Sequence, residues 1–290
     1  MSKESCIKSK SLNDDFSILV NTCDSYEDCW DPFFTLFKYF WPEYHGKIYL
    51  NTEKKDYSFN DLDIIPVKCS SGSKGENQEP WGKRLRAALE MIDDDTILYL
   101  HEDYFFKDFV KNDLVSRYAR LIDSNESIHC IHLTDQSLIA ESDPSEYEGL
   151  FLALLNQRYR TCLQASFWKK EVLLQYLRDE ESGWEFEEFG SRRGLILKHN
   201  FYVVDNHWVK LNEFEIIPYI FTGITQGKWH KDVPDLFEQH SIRLNYNLRG
   251  IYRPGIKDSM EKRIFRFIKR IPVHARFYFD LISMKYSKKM

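Results

Sequence analysis

Apolar residues fall in short runs separated by polar loops, and the runs switch between strand-like and helix-like spacing. Phe16–Thr22 (FSILVNT) is a compact apolar run that empties into Asn21-Thr22-Cys23-Asp24-Ser25, the pattern of a buried strand ending in a loop. Asp28–Tyr39 sets Trp30, Phe33, Phe34 and Phe37 at helical spacing, with Pro32 near its start, where a missing amide is tolerated. Lys47–Asn51 and Ile64–Lys68 predict two more strands, and a Gly/Ser-rich loop lies between Cys69 and Pro80. Trp81–Ile92 places Leu85, Ala88, Leu89 and Ile92 on one helical face, and the apolar strand Thr96–His101 (TILYLH) then stops in Glu102-Asp103. Helices are expected over Asn112–Ile122, Lys169–Asp179 and Trp184–Arg192, and strands over Ile128–Leu133 and Leu163–Ser166.

Such alternation predicts an α/β fold, a mostly parallel sheet flanked by helices on both faces. Ligands of such sheets sit beyond the carboxyl ends of the strands. That rule gathers Asn21–Ser25, Ser70–Gly75 and His101–Asp103 around one crevice. The C-terminal stretch is different. Met260, Ile264, Phe267, Ile268 and Ile271 form one helical stripe, opposed by Lys262, Arg263, Arg266, Lys269 and Arg270, and after Pro272 a second aromatic and basic stretch runs over Phe277–Lys289. The expected organisation is a flexible leader over 1–15, one domain over 16–250 and a basic amphipathic helical appendage over 251–290.

Composition narrows the class. Of 290 residues, 43% are hydrophobic and 29% charged, with 12 Gly and 9 Pro, which excludes disordered, collagen-like and low-complexity chains. Six cysteines without a CxxC pair point to free thiols in a reducing compartment rather than a disulfide scaffold. The start, MSKESCIKSKSLNDD, lacks the apolar core of a secretory signal, and no run approaches the ~20 apolar residues that span a bilayer. A soluble, cytoplasmic protein is expected. The net charge of −5 hides an asymmetry: residues 243–290 carry 13 Lys and Arg against 3 Asp and Glu, while the preceding residues are strongly acidic. A basic tail on an acidic body suggests work at an anionic surface.

Three groups of residues are candidates for chemistry. Glu102 and Asp103 are acids delivered to the ligand edge of the sheet, suited to holding a hard divalent cation with diphosphate oxygens; an ordinary solvated strand end is the plain alternative. Lys83, Arg84 and Arg86 open a helix against its dipole, which a diphosphate would explain, as would a solvated face. Gly82 beside them would let a ligand approach the backbone. Gly183-Trp184-Glu185-Phe186-Glu187-Glu188 sets carboxylates among aromatics, where desolvation raises basicity, and Trp184 offers a stacking face for an acceptor sugar; a solvated acidic helix is the alternative. His129 and His132 flank an apolar strand and read as core residues.

Three blocks, SILVNTCDSY, WGKRLRAALEMIDDDTILYLHEDYFF and FWKKEVLLQYLRDEESGWEFEEFGSRR, resemble GT-A-type glycosyltransferases, in particular bacterial enzymes of capsule and surface-polysaccharide synthesis. The resemblance covers roughly residues 16–250. It implies a GT-A-like fold and a hexosyltransferase using a nucleotide-sugar donor, most simply a UDP-sugar, on a glycan or lipid-linked acceptor. The family's DxD triplet falls on His101-Glu102-Asp103, so His stands where the first Asp usually is, and Asp103 is the better ligand for Mn²⁺ or Mg²⁺. The nucleotide loop falls on Asn21, Thr22, Asp24 and Ser25; by residue chemistry Asp24 or Ser25 would equally serve as a helix N-cap. The catalytic carboxylate falls near Glu187, with Glu188 its neighbour. A late His completing the metal site falls on His230, with His240 the competitor. The basic tail resembles an interfacial helix on anionic lipid at the inner leaflet; a helix packed on the domain is the alternative. Nucleic acid is not an expected partner, since the body is acidic and no reader motif is present. A sugar nucleotidyltransferase would need a Gly-rich triphosphate loop after the first strand, which this chain lacks. A non-catalytic sugar-nucleotide- or membrane-binding relative is the other alternative, motivated by His101.

Overall fold

A computed structural model describes residues 16–70, 79–134, 140–254 and 260–287. Residues 1–15 and 71–75, the expected leader and most of the second crevice loop, lie outside the described residues. Four strands, β1 (Ser17–Asn21), β2 (Ile48–Asn51), β3 (Ile64–Pro66) and β4 (Thr96–His101), run parallel in the order β3-β2-β1-β4. Their sequences are nearly all apolar because both faces are covered. Ile18, Val20, Leu98 and Leu100 point into one core layer, while Leu19, Ile97 and Tyr99 point into the other. The first layer is filled by α1 (Trp30–Phe40), whose Phe33, Phe34 and Phe37 are fully buried, and by α3 (Asn112–Ser124). The second is filled by α2 (Trp81–Met91) through Leu85, Ala88 and Leu89.

The sheet continues through β5 (Cys130–His132), β6 (Leu150–Leu152), β7 (Ser166–Lys169) and β8 (Phe201–Val204), giving eight strands in the order β3-β2-β1-β4-β7-β5-β8-β6. Six run one way; β7 and β6 are antiparallel to their neighbours. The strand expected at Leu163–Ser166 begins three residues later. The backbone amides of Leu163 and Ala165 are taken by the Glu187 carboxylate and the Tyr219 hydroxyl instead of by a ladder. His132 is buried, its pKa pushed down to about 3 by burial, in keeping with a core role.

After β7 come α4 (Lys170–Tyr176), then a continuous helical segment made of α5 (Gly183–Glu185), a π-turn (Phe186–Gly190) and α6 (Ser191–Leu197). A small hairpin of β9 (Ile224–Thr225) and β10 (Lys228–Trp229) precedes α7 (Val233–Gln239). The last element, α8 (Met260–Ser287), is one helix that runs through Pro272 and joins the two stretches noted on either side of it. Proline removes one amide from the ladder, and docking on the body offsets that loss. Phe277 stacks on Phe189 at 4.2 Å, and Asp280 bridges Arg178 at 2.8 Å and Arg193 at 3.1 Å. Arg193 is fully buried and also pairs with Glu181. The described cysteines, Cys23, Cys29, Cys69, Cys130 and Cys162, are free thiols.

Phe37 touches the rings of Phe33, Trp41, Tyr44 and Phe106 with no exposed surface. Phe37→Ala leaves a cavity among rigid rings and should lower unfolding free energy by about 3–5 kcal/mol, read by urea denaturation.

Candidate active site

Strand register builds the site. Asn21 pairs across to Asn51 on one side and to His101 on the other, so three polar residues close three apolar strands in one row. They are linked by hydrogen bonds: Asn51 Nδ2 donates to Asn21 Oδ1 at 2.7 Å, and Asn21 Nδ2 to the Tyr99 hydroxyl at 2.9 Å. That hydroxyl lies 2.9 Å from His101 Nε2. The other ring nitrogen, Nδ1, faces Glu102 Oε2 at 3.6 Å. The chain thus fixes the imidazole plane and aims Nδ1 at the acids.

Glu102 is 5% exposed, and its Oε2 has no hydrogen-bond partner among the described residues. Burial, reinforced by the charge of Asp103, raises its pKa. For His101, burial works to lower the pKa, but Glu102, Asp103 and Glu187 outweigh it and the net shift is upward. Asp103 is held by Oδ2, which accepts from the Thr222 hydroxyl at 2.7 Å and the Ile224 amide at 3.2 Å. One ligand atom from each of His101, Glu102 and Asp103 lies within 4.8 Å of the others. An orphaned buried carboxylate oxygen beside an imidazole nitrogen and a second carboxylate fits a divalent cation. One nitrogen and two oxygens suit Mn²⁺ better than Mg²⁺, which favours an all-oxygen shell.

Glu187 comes to this site from the π-turn. Its Oε1 accepts from the Leu163 amide at 2.8 Å, and the Leu163 carbonyl accepts from the Tyr104 hydroxyl at 2.7 Å. Tyr104 in turn stacks on Tyr219 at 4.6 Å, which locks the loop against the strand end. Burial raises the Glu187 pKa, with the Leu163 amide and His101 opposing it, so the carboxylate and the imidazole share one field. π-turns re-aim side chains within a helix and are frequent at functional sites. Glu188 is turned elsewhere, paired with Arg270 of α8 and with Arg192.

The structure places the other candidates as follows. Thr22 accepts from Trp30 Nε1 at 2.9 Å and is nearly buried. Asp24 caps no helix, and neither does Ser25: the 3₁₀ turn Asp24–Cys29 has no side-chain cap. Instead the Asp24 carboxylate accepts from the Glu53 and Lys54 amides at 2.9 and 3.1 Å, tying the loop after β1 to that after β2. The Ser25 hydroxyl lies 3.0 Å from Cys23 Sγ. Arg84 is buried beneath the same loop and donates to the Thr22 carbonyl at 2.9 Å.

At the start of α2 the groups expected to meet a diphosphate have protein partners. The Gly82 and Lys83 amides donate to the Glu181 and Asp179 carbonyls at 2.9 and 3.0 Å. Arg86 is engaged by Asp179 at 2.6 Å and by the Leu177 carbonyl, and Lys83 pairs with Glu79. Gly82 serves packing, since a Cβ there would meet the Arg178 carbonyl oxygen at 2.0 Å. Trp184 does not enclose Glu187; it stands 82% exposed, open as a flat platform, while Phe186 is buried. His230 is not part of the three-residue cluster. Its ring faces Asp232 at 3.5 Å, although its backbone amide donates to Gly223, the residue whose own amide binds Asp103. His240 packs against the rings of Tyr39 and Phe40.

Three contributors were not anticipated: Asn51, Tyr99 and Arg249. Asn51 could have been found, being a lone amide closing an apolar strand as Asn21 does. Tyr99 sits inside a strand read as apolar. Arg249 comes from the basic tail region, clamps Asp28 through two bonds of 2.6 Å and lies 4.5 Å over Tyr26. Burial and then the charge of Glu102 raise the pKa of the Tyr26 hydroxyl, with Arg249 opposing.

No family model matches the chain, and none of the curated proteins matches it. Among solved structures, the chain is similar to S. aureus TarS 1-349 in complex with UDP-GlcNAc, at 15% identity over 65% of this chain and 55% of that one, with a TM-score of 0.42. It is also similar to TarS 1-349 in complex with UDP, at 13% identity over 81% of this chain and 68% of that one, TM-score 0.45. A mycobacterial protein is similar at 12% identity over 85% of this chain and 80% of that one, TM-score 0.41. The chain spans about half the length of the first of these.

Gly82→Ala separates packing from ligand approach. It should lower the melting temperature by several degrees, read by circular dichroism, because the carbonyl it meets is backbone and cannot step aside.

Proposed function

We propose that the protein is a glycosyltransferase that moves a sugar from a UDP-sugar to a hydroxyl of a glycan or lipid-linked glycan. The observation that carries this reading is the pairing, at one strand edge, of a His-Glu-Asp ligand cluster with a separately held, desolvated carboxylate. A cation site binds and neutralises a departing diphosphate; a raised-pKa carboxylate takes the proton of an attacking hydroxyl.

His101, Glu102 and Asp103 would hold Mn²⁺, which supplies positive charge to the diphosphate when bound. The Asn21–Ser25 loop and Tyr26 line the nucleotide side, held in shape by Arg84 below and by the Asp24–Glu53 clamp. Glu187 accepts the proton from the acceptor oxygen as that oxygen attacks the anomeric carbon and the UDP–sugar bond breaks. This role implies inversion at that carbon. Leu163 positions Glu187, since its amide leaves one carboxylate oxygen committed and the other for the acceptor. Trp184 provides a stacking face for the acceptor chain. The resemblance of the three sequence blocks to capsule and surface-polysaccharide enzymes supports an acceptor in cell-surface polysaccharide assembly, with the protein acting on the cytoplasmic side.

Thermal unfolding with a panel of UDP-, GDP-, CMP- and dTDP-sugars tests the donor. A UDP-sugar at a hundred times its Kd should add about 2.7 kcal/mol of stability, more with Mn²⁺ than without. Asp103→Ala should remove the Mn²⁺-dependent part of that shift; no shift with any donor overturns the reading. Glu187→Gln should keep the donor shift and lower turnover by roughly 10²–10⁴-fold. Because Glu187 must be ionised to act and burial raises its pKa, kcat should climb with pH through a value above the ordinary carboxylate range. A pH-independent kcat would move the base elsewhere.

A further inference from the structure

The C-terminal helix α8 has two long faces that differ in kind. The inner face is occupied: Phe277 lies under Phe189, Asp280 between Arg178 and Arg193, and Met284 Sδ within 3.1 Å of Arg178. The outer face carries Ile268, Ile271, Tyr278, Phe279, Ile282 and Tyr286, each between 51% and 74% exposed. Their spacing of three, seven, one, three and four residues keeps them on one side of the helix. The sequence predicted a stripe ending at Ile271; the continuous helix carries it past Pro272 to Tyr286. Large apolar side chains ranked in one row in water mark a surface for a partner.

Charge selects the partner. Among the described side chains of α8, the only acid, Asp280, is turned inward and neutralised by two arginines. Arg276 and Lys285 are exposed beside the row, and Arg270 is half exposed against Glu188. Among the described side chains of α8 the row is therefore flanked by cations, on a chain whose preceding residues are acidic. Two such rows packed face to face would bring Arg276 and Lys285 of each copy toward like charges. A sheet of anionic headgroups over acyl chains satisfies both components at once: aliphatic and phenyl groups enter the acyl boundary, tyrosines and cations stay at the headgroups.

We propose that the outer face of α8 is a docking surface for an anionic lipid bilayer, the helix lying in the plane of the interface. No helix among the described residues is long and apolar enough to cross a membrane, so the contact is superficial. The docking goes beyond the transferase reading and does not depend on it. Since the inner face of α8 holds the π-turn that carries Glu187, the bilayer would lie directly behind the element that sets that carboxylate.

Flotation of the full chain with vesicles tests the proposal. Vesicles of phosphatidylcholine with phosphatidylglycerol should retain the protein, and phosphatidylcholine alone should not, with binding weakened by added salt. Phe279→Glu and Ile282→Glu should each reduce partitioning by roughly tenfold or more without changing the melting temperature, because both side chains stand in solvent. Leu248→Glu, at a residue 76% exposed but outside α8, should leave partitioning unchanged. Equal retention of Phe279→Glu and the parent chain overturns the proposal, as does failure of the parent to bind phosphatidylglycerol vesicles. A parent that fails to bind vesicles but sediments as a dimer, and reverts to monomer with Phe279→Glu, assigns the row to a second copy instead.

Discussion

The in-register parallel pairing of β1 between β2 and β4 is the constraint on which the site depends. It sets Asn51, Asn21 and His101 abreast, so that one amide-to-hydroxyl chain reaches the imidazole from below. A slip of one residue in either strand would turn Asn21 or His101 to the opposite face and put an apolar side chain in its place. Register is held because both faces of these strands are buried, and Ile18, Val20, Leu98 and Leu100 fit only one layer. The core therefore does more than stabilise: it fixes which ring nitrogen of His101 looks toward Glu102. With His101 oriented, the acids that follow are constrained as well, Glu102 by burial and Asp103 by Thr222 and Ile224.

A second support works from the far side of the site. The π-turn that presents Glu187 lies between two anchored regions, the Arg178–Ser182 stretch and α6, and α8 is bonded to both. Asp280 reaches Arg178 in the first and Arg193 in the second, while Phe277 covers Phe189 within the turn itself. Burying Arg193 without a partner would be prohibitive, and Glu181 with Asp280 supplies the compensating charge. The C-terminal helix is thus partly a structural brace, its one described acid set between two arginines of the body. Its charge also has a local purpose at Arg270, which draws Glu188 away from the crevice and leaves Glu187 as the carboxylate that faces His101.

What the sequence makes legible follows from how local each cause is. Strands buried on both faces announce themselves as unbroken apolar runs, and their ends mark the ligand edge, so β1, β2 and β4 and the closing residues Asn21 and His101 can be read directly. The choice between Glu187 and Glu188 can only be narrowed, because adjacent helical residues point about 100° apart and a π-turn changes the phase. The cations of α2 mislead for a different reason. The Arg86 side chain and the Gly82 and Lys83 amides are taken by the 177–181 segment, remote in sequence, whereas the Lys83 side chain pairs locally with Glu79. The late start of β7 is likewise tertiary, since the amides of Leu163 and Ala165 are taken by Glu187 and Tyr219. Pattern reading finds elements where burial dictates them and loses them where a single distant polar partner decides.

The fate of the α2 cations also bears on the metal. A diphosphate entering this crevice meets Glu102, Asp103 and Glu187, three carboxylates, at the strand edge. Arg84 lies beneath the loop, bonded to the Thr22 carbonyl, and Arg249 is clamped by Asp28; Lys83 and Arg86 already have acidic partners. The α2 amides are committed to carbonyls. Among the described residues these cations are already committed, so a diphosphate bound at this edge would rely on a cation that enters with it. With His101 beside Glu102 and Asp103, the cluster carries two acids and one nitrogen donor. A cation held by a nitrogen donor and two carboxylates would compete with protons for the same donor atoms.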